Sequence, residues 1–319
     1  MTILSTVRKI SFKKNALLNN KINSFFKDES GTFWIGTGRG LSSFDPMNQG
    51  FLGVGPTGNL EQGIPTPSVW TFGEDDKSEN VFIGTDKGVS RYNRKTRKFE
   101  HYYRNKEASI SVRETMTLSI YVISQNHLLV ASTDGFFELI IHSKYDYQFK
   151  KIALVKDVLA TNHTKVYSIV KWKEDQFLLG TNGGVVLINI KTKKTEVFEH
   201  DIHNKEKTIS SGICRLVYRD NGGRIWFTTS TGGLNLLMNK EGKMYIAPYK
   251  YNEQILKQSK DYITSIYQRS ENEYWFGTFG SGLIKWNEGS KNIRVFTKQN
   301  SGLPNNVIYG VVSMDNKNL

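Results

Sequence analysis

Hydrophobic positions in this chain come in short runs broken by polar turns, and one run keeps returning. Phe33-Trp34-Ile35-Gly36-Thr37 is aromatic and β-branched, and a tight turn carries it to Gly40-Leu41. Val81-Phe82-Ile83-Gly84-Thr85 leads in the same way to Gly88-Val89, and Phe177-Leu178-Leu179-Gly180-Thr181 to Gly184-Val185. Leu128 to Thr133 precedes Gly135-Phe136, Ile225 to Thr229 precedes Gly233-Leu234, and Tyr274 to Thr278 precedes Gly282-Leu283. Threonines at 37, 85, 133, 181, 229 and 278 step by 48, 48, 48, 48 and 49 residues. A fixed period of that size belongs to a solenoid, an array or a propeller.

Within one repeat the pattern predicts four strands. Ile22 to Phe26 alternates loosely, as a short strand with one favoured face does. Lys27 to Gly31 is a polar turn with glycine late, a hairpin signal. Thr32 to Thr37 reads as a second strand buried on both faces, Gly38-Arg39-Gly40 turns the chain, and Leu41 to Phe44 alternates as a third. The next copy displays the fourth strand at Lys98 to Tyr103. Four short antiparallel strands make a sheet that cannot bury both faces alone, whereas radial stacking of copies can. No segment carries a sustained 3.6-residue pattern, which excludes helical repeats. The expected fold is all-β: a β-propeller of four-stranded antiparallel blades, six full repeats plus an incomplete seventh.

On that reading one propeller domain covers 7–315, with repeats near 22–68, 69–115, 116–165, 166–212, 213–262 and 263–306. Val307 to Val312 matches the first strand of a further copy, and Val7 to Phe12 would supply its outer strand. The partial blade is therefore 307–315 with 7–12, and the expectation is a truncated fragment of a longer protein. A closed six-bladed ring with both terminal pieces packed outside is the alternative. Trp34, Trp226 and Trp275 recur at one position and are expected to pack between sheets. Gly36, Gly84, Gly180 and Gly277 precede Thr37, Thr85, Thr181 and Thr278, where a crowded centre demands close backbone approach.

Composition adjusts this picture in a few places. The 319 residues include 28 glycines and only 6 prolines, which suits many tight turns. No run of about 18 apolar residues exists to span a bilayer as a helix, and Met1 to Lys14 is too weakly apolar for a signal peptide. From the residues alone, the protein is cytoplasmic or a leader is missing. Net charge is +13, from 43 basic and 30 acidic side chains, but the excess sits in turns such as Arg94 to Lys98 and Lys191 to Lys194. Solvated turn residues account for it, so no nucleic-acid partner is expected. Cys214 is the single cysteine, excludes an intrachain disulfide, and reads as a small buried apolar side chain.

The aligned pattern Ile22…Asp28-x-x-Gly31-x-x-Trp34-Ile35-Gly36-Thr37-x-x-Gly40-Leu41 resembles the two-component regulator propeller repeat. The copy at 213–234 keeps Asp220, Gly223, Trp226 and Gly233-Leu234, and the third departs most, with Leu129 for tryptophan and Ala131-Ser132 where glycine is usual. The resemblance implies the periplasmic sensor region of a hybrid two-component histidine kinase of the Bacteroidetes, responding to an oligosaccharide. It implies as partners a further propeller, a linker and kinase modules of the parent chain; a homodimer is a separate expectation, since a dimer surface would use the same loops as a ligand. It supplies no catalytic residue and no cofactor.

Turns between second and third strands share one face with the links between blades in such a propeller. That face would receive Arg39, Lys87, Arg113, His163, Lys165, Asn182, Tyr262 and Phe279. The basic side chains suit a carboxylate or sulfate, and Tyr262 or Phe279 suits a sugar ring. His200-Asp201-Ile202-His203 has no third ligand at fixed spacing, so no metal site is expected. There is neither a phosphate-binding glycine loop nor a serine nucleophile motif. A lyase or hydrolase on this scaffold, or a non-catalytic interaction platform, is the alternative to a sensor.

Overall fold

In the structure, a computed structural model, the described residues are 17–46, 50–75, 79–104, 116–154, 164–204, 208–231, 233–258 and 262–313. Blade one consists of β1 (Ile22–Lys27), β2 (Phe33–Thr37), β3 (Gly40–Asp45) and β4 (Gly50–Val54), paired antiparallel in sequence order. Five more four-stranded sheets of the same order cover 69–103, 117–152, 166–198, 214–248 and 263–296. The strands expected at 22–26, 32–37, 41–44 and 98–103 are all present. One short helix, Asn252–Leu256, interrupts the link before blade six. Contacts divide the chain into two compact units, with the sequence boundary between Ala153 and Leu154. Blades one to three lie in one unit and four to six in the other.

Second strands are the most buried elements, because sheets pack on both of their faces. Phe33–Thr37 is buried throughout, and so are Asn80–Thr85 and Ile225–Thr229. Trp34 packs against Phe72 and Tyr92 of blade two, at 6.5 and 5.4 Å between ring centroids. In the other unit Trp226 meets Tyr249 at 4.8 Å and Tyr274 of blade six at 5.4 Å. Each such indole removes about 200 Å² of surface from water, worth roughly 5 kcal/mol before entropy is charged against it.

The tryptophan is also tied to the aspartate six residues before it. Asp28 Oδ2 accepts from Trp34 Nε1 at 2.7 Å, while its Oδ1 accepts from the backbone N–H of Thr32 at 2.9 Å. Asp220 repeats both bonds with Trp226 Nε1 and the Arg224 N–H. An arginine completes each cluster: Arg94 bridges Asp28 and Glu74, and Arg224 bridges Asp220 and Glu288. Asp75 is the counterpart in blade two, but the side chain of Phe82 has no N–H to give. Its buried Oδ1 has no hydrogen-bond partner among the described residues.

The repeating threonine closes the turn after the second strand. Thr37, Thr85, Thr181 and Thr278 donate from Oγ1 to the carbonyls of Gly40, Gly88, Gly184 and Gly282, at 2.7, 3.2, 3.0 and 2.8 Å. The same oxygens accept backbone N–H groups of Arg39, Lys87, Gly183 and Ser281. In blade three the residue paired with the turn glycine is Ser132, opposite Gly135, and Thr133 lies in the turn itself. The periodic count of threonines thus slips by one there. A hydroxyl is still supplied, and it donates to Met116 O instead.

Glycine before the threonine meets the blade that follows. A Cβ on Gly36 would stand 2.7 Å from Val69 Cγ1 and 3.0 Å from its carbonyl, both at the start of the next first strand. Blade five has Thr228 at this position, and its Oγ1 donates to the Ile263 carbonyl at 3.1 Å. The end of the described chain makes the same approach without forming a sheet. The Ile308 carbonyl would stand 2.9 Å from a Cβ on Gly277, and the Ile308 N–H donates to Thr278 O at 2.8 Å. Val307 adds one isolated bridge to Phe279.

No strand follows at 307–313, so the incomplete seventh blade is not formed among the described residues and six blades are what the chain builds there. The physical reason is that this segment has one edge, that of blade six, and no described hairpin partner of its own. Residues 7–12, 314 and 315 of the expected partial blade lie outside the described residues.

Two consequences are measurable. Thr181→Val keeps shape but leaves the Gly184 carbonyl and Gly183 N–H without their buried partner, which is expected to lower unfolding free energy by about 1–2 kcal/mol in urea. Thr181→Ser should recover most of it, and no loss for valine would make the hydroxyl dispensable. The second concerns acid. Burial raises the Glu288 and Asp220 carboxyls, but bonds from Arg224, Tyr249 and Trp226 outweigh it and hold both below the ordinary range. A depressed folded value stabilises above the unfolded value and is lost as pH falls through the folded one. Melting temperature should therefore drop below about pH 4. Glu288→Gln should lower it at neutral pH and flatten the acid decline; an unchanged acid slope would clear this cluster of the effect.

Candidate ligand-binding site

Turns after the second strands and the residues entering the first strands lie together at one end of each sheet. Backbone bonds hold them: Gly38 N–H to Lys21 O at 3.1 Å, Thr133 to Met116 at 3.2 Å, Asn182 to Lys165 at 3.2 Å, Ser230 to Ile213 at 3.0 Å and Phe279 to Tyr262 at 3.1 Å. Arg39 and Lys87 occupy two of these turns and are exposed. Lys165 is exposed as well, and its backbone N–H donates to Asn182 Oδ1 at 2.9 Å. Arg113 and His163 lie outside the described residues.

A second set of side chains reaches the same end by an irregularity of pairing. In every first strand the register slips against the second strand just after the first paired residue, and in blades three, four and six it slips again near the hairpin. The residue skipped is Asn23, Trp70, Leu118, Tyr167, Arg215 and Thr264 in successive blades. Such a bulge leaves one residue out of the ladder and re-aims its side chain. Asn23 Nδ2 donates to Val69 O at 3.2 Å, and Trp70 Nε1 donates to Asp86 in the turn after its own second strand.

In the unit of blades four to six, the bulged residues join the turn aromatics. Arg215 Cζ lies 4.6 Å from the ring centroid of Tyr167 and 5.7 Å from that of Tyr262. Its Nε donates to Ser230 Oγ at 3.1 Å. Tyr262 stacks on Phe279 with centroids 4.9 Å apart and 15° between planes, and Tyr309 stands edge-on to Phe279 at 6.0 Å. Phe279 and Tyr309 are 40% and 38% exposed and adjoin one another, which leaves an aromatic surface open to a ligand. Each cation–ring contact contributes about 0.5–1 kcal/mol at such exposure.

The predicted residues are therefore brought together in pairs: Lys165 with Asn182, and Tyr262 with Phe279. Tyr262 is not a bare platform, since Phe279 already stacks on it. Tyr167, Arg215 and Tyr309 escaped the sequence reading. Their signal was present only as the position after an apolar residue, Val166, Cys214 and Ile308, where residue type changes freely. Asp134, another turn residue, is ion-paired with Arg104, whose guanidinium burial pulls below its ordinary value. Cys214 is buried, and burial pushes its thiol up, away from reactivity. His200 Nδ1 sits 2.7 Å from Ile209 O, and Asp201 accepts the His203 N–H, so that loop is bonded to itself. Among the described residues no group of three or more His, Cys, Asp or Glu is placed to hold a metal.

A family model described as two component regulator propeller matches residues 16–39. The chain resembles these propellers. Among solved structures it is similar to one described as the extracellular domain of a hybrid two component system, BT3049 from B. thetaiotaomicron. Identity is 20% and the TM-score 0.68, over 97% of this chain and 38% of that one. A second, BT4673 from the same organism and described in the same terms, matches at 18% identity and TM-score 0.68, over 98% of this chain and 40% of that one. The β-propeller domain of Cps50 (Swd1) from Myceliophteria thermophila matches at 11% identity and TM-score 0.64, over 88% and 87% of the two chains. At such identities the likeness shows the fold, a β-propeller. The chain spans about two fifths of the two B. thetaiotaomicron structures. No curated protein matches it.

Proposed function

We propose that this chain is the ligand-sensing propeller of a two-component histidine kinase and that it recognises an oligosaccharide at the turn end of blades four to six. The observation that carries the reading is the run of half-exposed rings, Tyr167, Tyr262, Phe279 and Tyr309, threaded by Arg215. Sugar rings present C–H faces that stack on aromatics and hydroxyls that bond to groups such as Asn182 and Ser230. Support for the signalling context comes from the family model and from the two similar structures described as extracellular domains of hybrid two component systems.

The chain then works outside the cytoplasm, in the periplasm, and its partners are a further propeller, a linker and kinase modules of the parent protein. It is a recognition module and not an enzyme. Binding on a rigid scaffold changes signalling only if two arrangements of the parent bind the sugar unequally. Pairing of two copies as a homodimer is the simplest such difference. Among the described residues no helix is long and apolar enough to cross a membrane.

Calorimetric titration of the chain against a panel of neutral and acidic glycan oligomers, with duplex DNA as a charge control, tests this. One glycan class should bind, and Phe279→Ala should weaken it by about tenfold without a change in melting temperature. Silence across the whole panel, or binding untouched by Phe279→Ala, would overturn the proposal.

A further inference from the structure

Arg215 is the one arginine at the turn end that the bulge delivers between two aromatic rings. Its backbone position is skipped in the pairing of Cys214–Arg219 with Ile225–Thr229, so its side chain leaves the ladder. Tyr167 and Tyr262 flank the guanidinium at 4.6 and 5.7 Å. Ser230 Oγ takes Nε at 3.1 Å, which fixes the rotation of the planar head. Among the described residues that is its one hydrogen bond, and no carboxylate pairs with it. Arg91, Arg94, Arg104, Arg224 and Arg269 are each paired with Asp or Glu, and Arg294 lies over the single ring of Phe296 in its own blade. Arg215 is held in place by aromatic faces and a hydroxyl, and among the described residues its terminal N–H groups have no hydrogen-bond partner.

A guanidinium stacked on aromatic rings has already lost its rotamer freedom, so little entropy remains to be paid when an anion docks. Its two terminal nitrogens match the two oxygens of a carboxylate or sulfate ester side by side. Lys165, two residues before Tyr167 and anchored through its backbone to Asn182, adds an exposed cation at the turn end of blade four. Phe279 and Tyr309 continue as an apolar surface on the other side of Tyr262.

We infer that Arg215 reads an oxyanion, and that the ligand of this end is an acidic saccharide whose carboxylate or sulfate ester meets Arg215 while a sugar ring lies along Phe279 and Tyr309. The inference deepens the sensing proposal and rests on it for the saccharide part alone; the anion site stands on the geometry of Arg215. Carboxylate and sulfate share the required pair of oxygens, and the experiment separates them.

The test uses the whole chain with arginine side chains labelled for NMR. The Arg215 Nε–Hε signal is assigned by its absence in Arg215→Lys. Inorganic sulfate, trigalacturonate, a sulfated chondroitin tetrasaccharide and neutral xylotriose are titrated in turn, with calorimetry alongside. An acidic oligomer should shift the Arg215 signal and bind at least about tenfold tighter than xylotriose. Added salt should weaken it. Arg215→Lys, which keeps the charge and loses the fork, should cost about tenfold, and Arg215→Met should abolish the preference for acid over neutral. Preference for trigalacturonate names a uronate, and preference for the chondroitin oligomer names a sulfate ester. Equal binding of xylotriose and the acidic oligomers would overturn the anion site while leaving saccharide sensing intact. A response to inorganic sulfate with no oligomer binding would keep the anion site and remove the saccharide. Acidic binding undiminished in Arg215→Met, with melting temperature unchanged, would place the anion elsewhere and end the inference.

Discussion

The constraint on which the blades depend is how near the first strand of one sheet must come to the second strand of the sheet before it. Val69 closes on Gly36 so tightly that a Cβ there would have no room, and Cys214 does the same to Gly180. Where glycine is absent, Thr228 turns the approach into a hydrogen bond with the Ile263 carbonyl. A backbone that leans this far onto a neighbouring sheet cannot also keep perfect register with its own. The ladder slips at the next residue in every blade. The candidate site is a product of that slip. The same contact that closes the core ejects Tyr167, Arg215 and Thr264 toward the turn end.

This explains what could be read along the chain and what could not. The blade frame was legible because each of its parts demands a residue type: glycine where backbones touch, an aromatic where sheets stack, a hydroxyl that closes the turn. Even the departures stayed within chemistry, as with Ser132 standing where the threonine count pointed to Thr133. The bulged position makes no such demand. Asn23, Trp70, Leu118, Tyr167, Arg215 and Thr264 share no property, so periodicity averages them away. Charge was misleading for a related reason. Lysines in turns were visible as candidates, whereas Arg215 looked like an interior strand residue between Cys214 and Leu216. The apolar run at 307–312 predicts a strand and does make an edge contact with blade six, but a strand needs a continuous ladder, and only one isolated bridge is described there.

The aspartate–tryptophan tie shows how local chemistry and inter-sheet packing are made to agree. Asp28 would form its turn with Thr32 alone, and Trp34 would bury its ring alone; the bond between them forces the hairpin and the stacked ring into one geometry. With phenylalanine in place of the indole at 82, Asp75 Oδ1 is buried with no donor among the described residues, and a buried oxygen left unmet costs about 1–3 kcal/mol. Blade two nevertheless forms, because Val81, Phe82 and Ile83 are fully buried and supply what the missing bond does not.

Frame and site thus answer to different physics. A change at Gly36, Thr181 or Trp226 strikes groups with no exposed surface and must be absorbed by the core. A change at Arg215 or Phe279 strikes half-exposed groups whose neighbours are other side chains at the same end. An architecture of this kind can alter what it binds by replacing one residue per blade without touching a ladder bond or a packed ring. That separation is the strongest physical reason to look for recognition at the bulges. The turn lysines, whose backbones are fixed but whose charged ends are solvated, have no comparable preorganisation to offer a ligand.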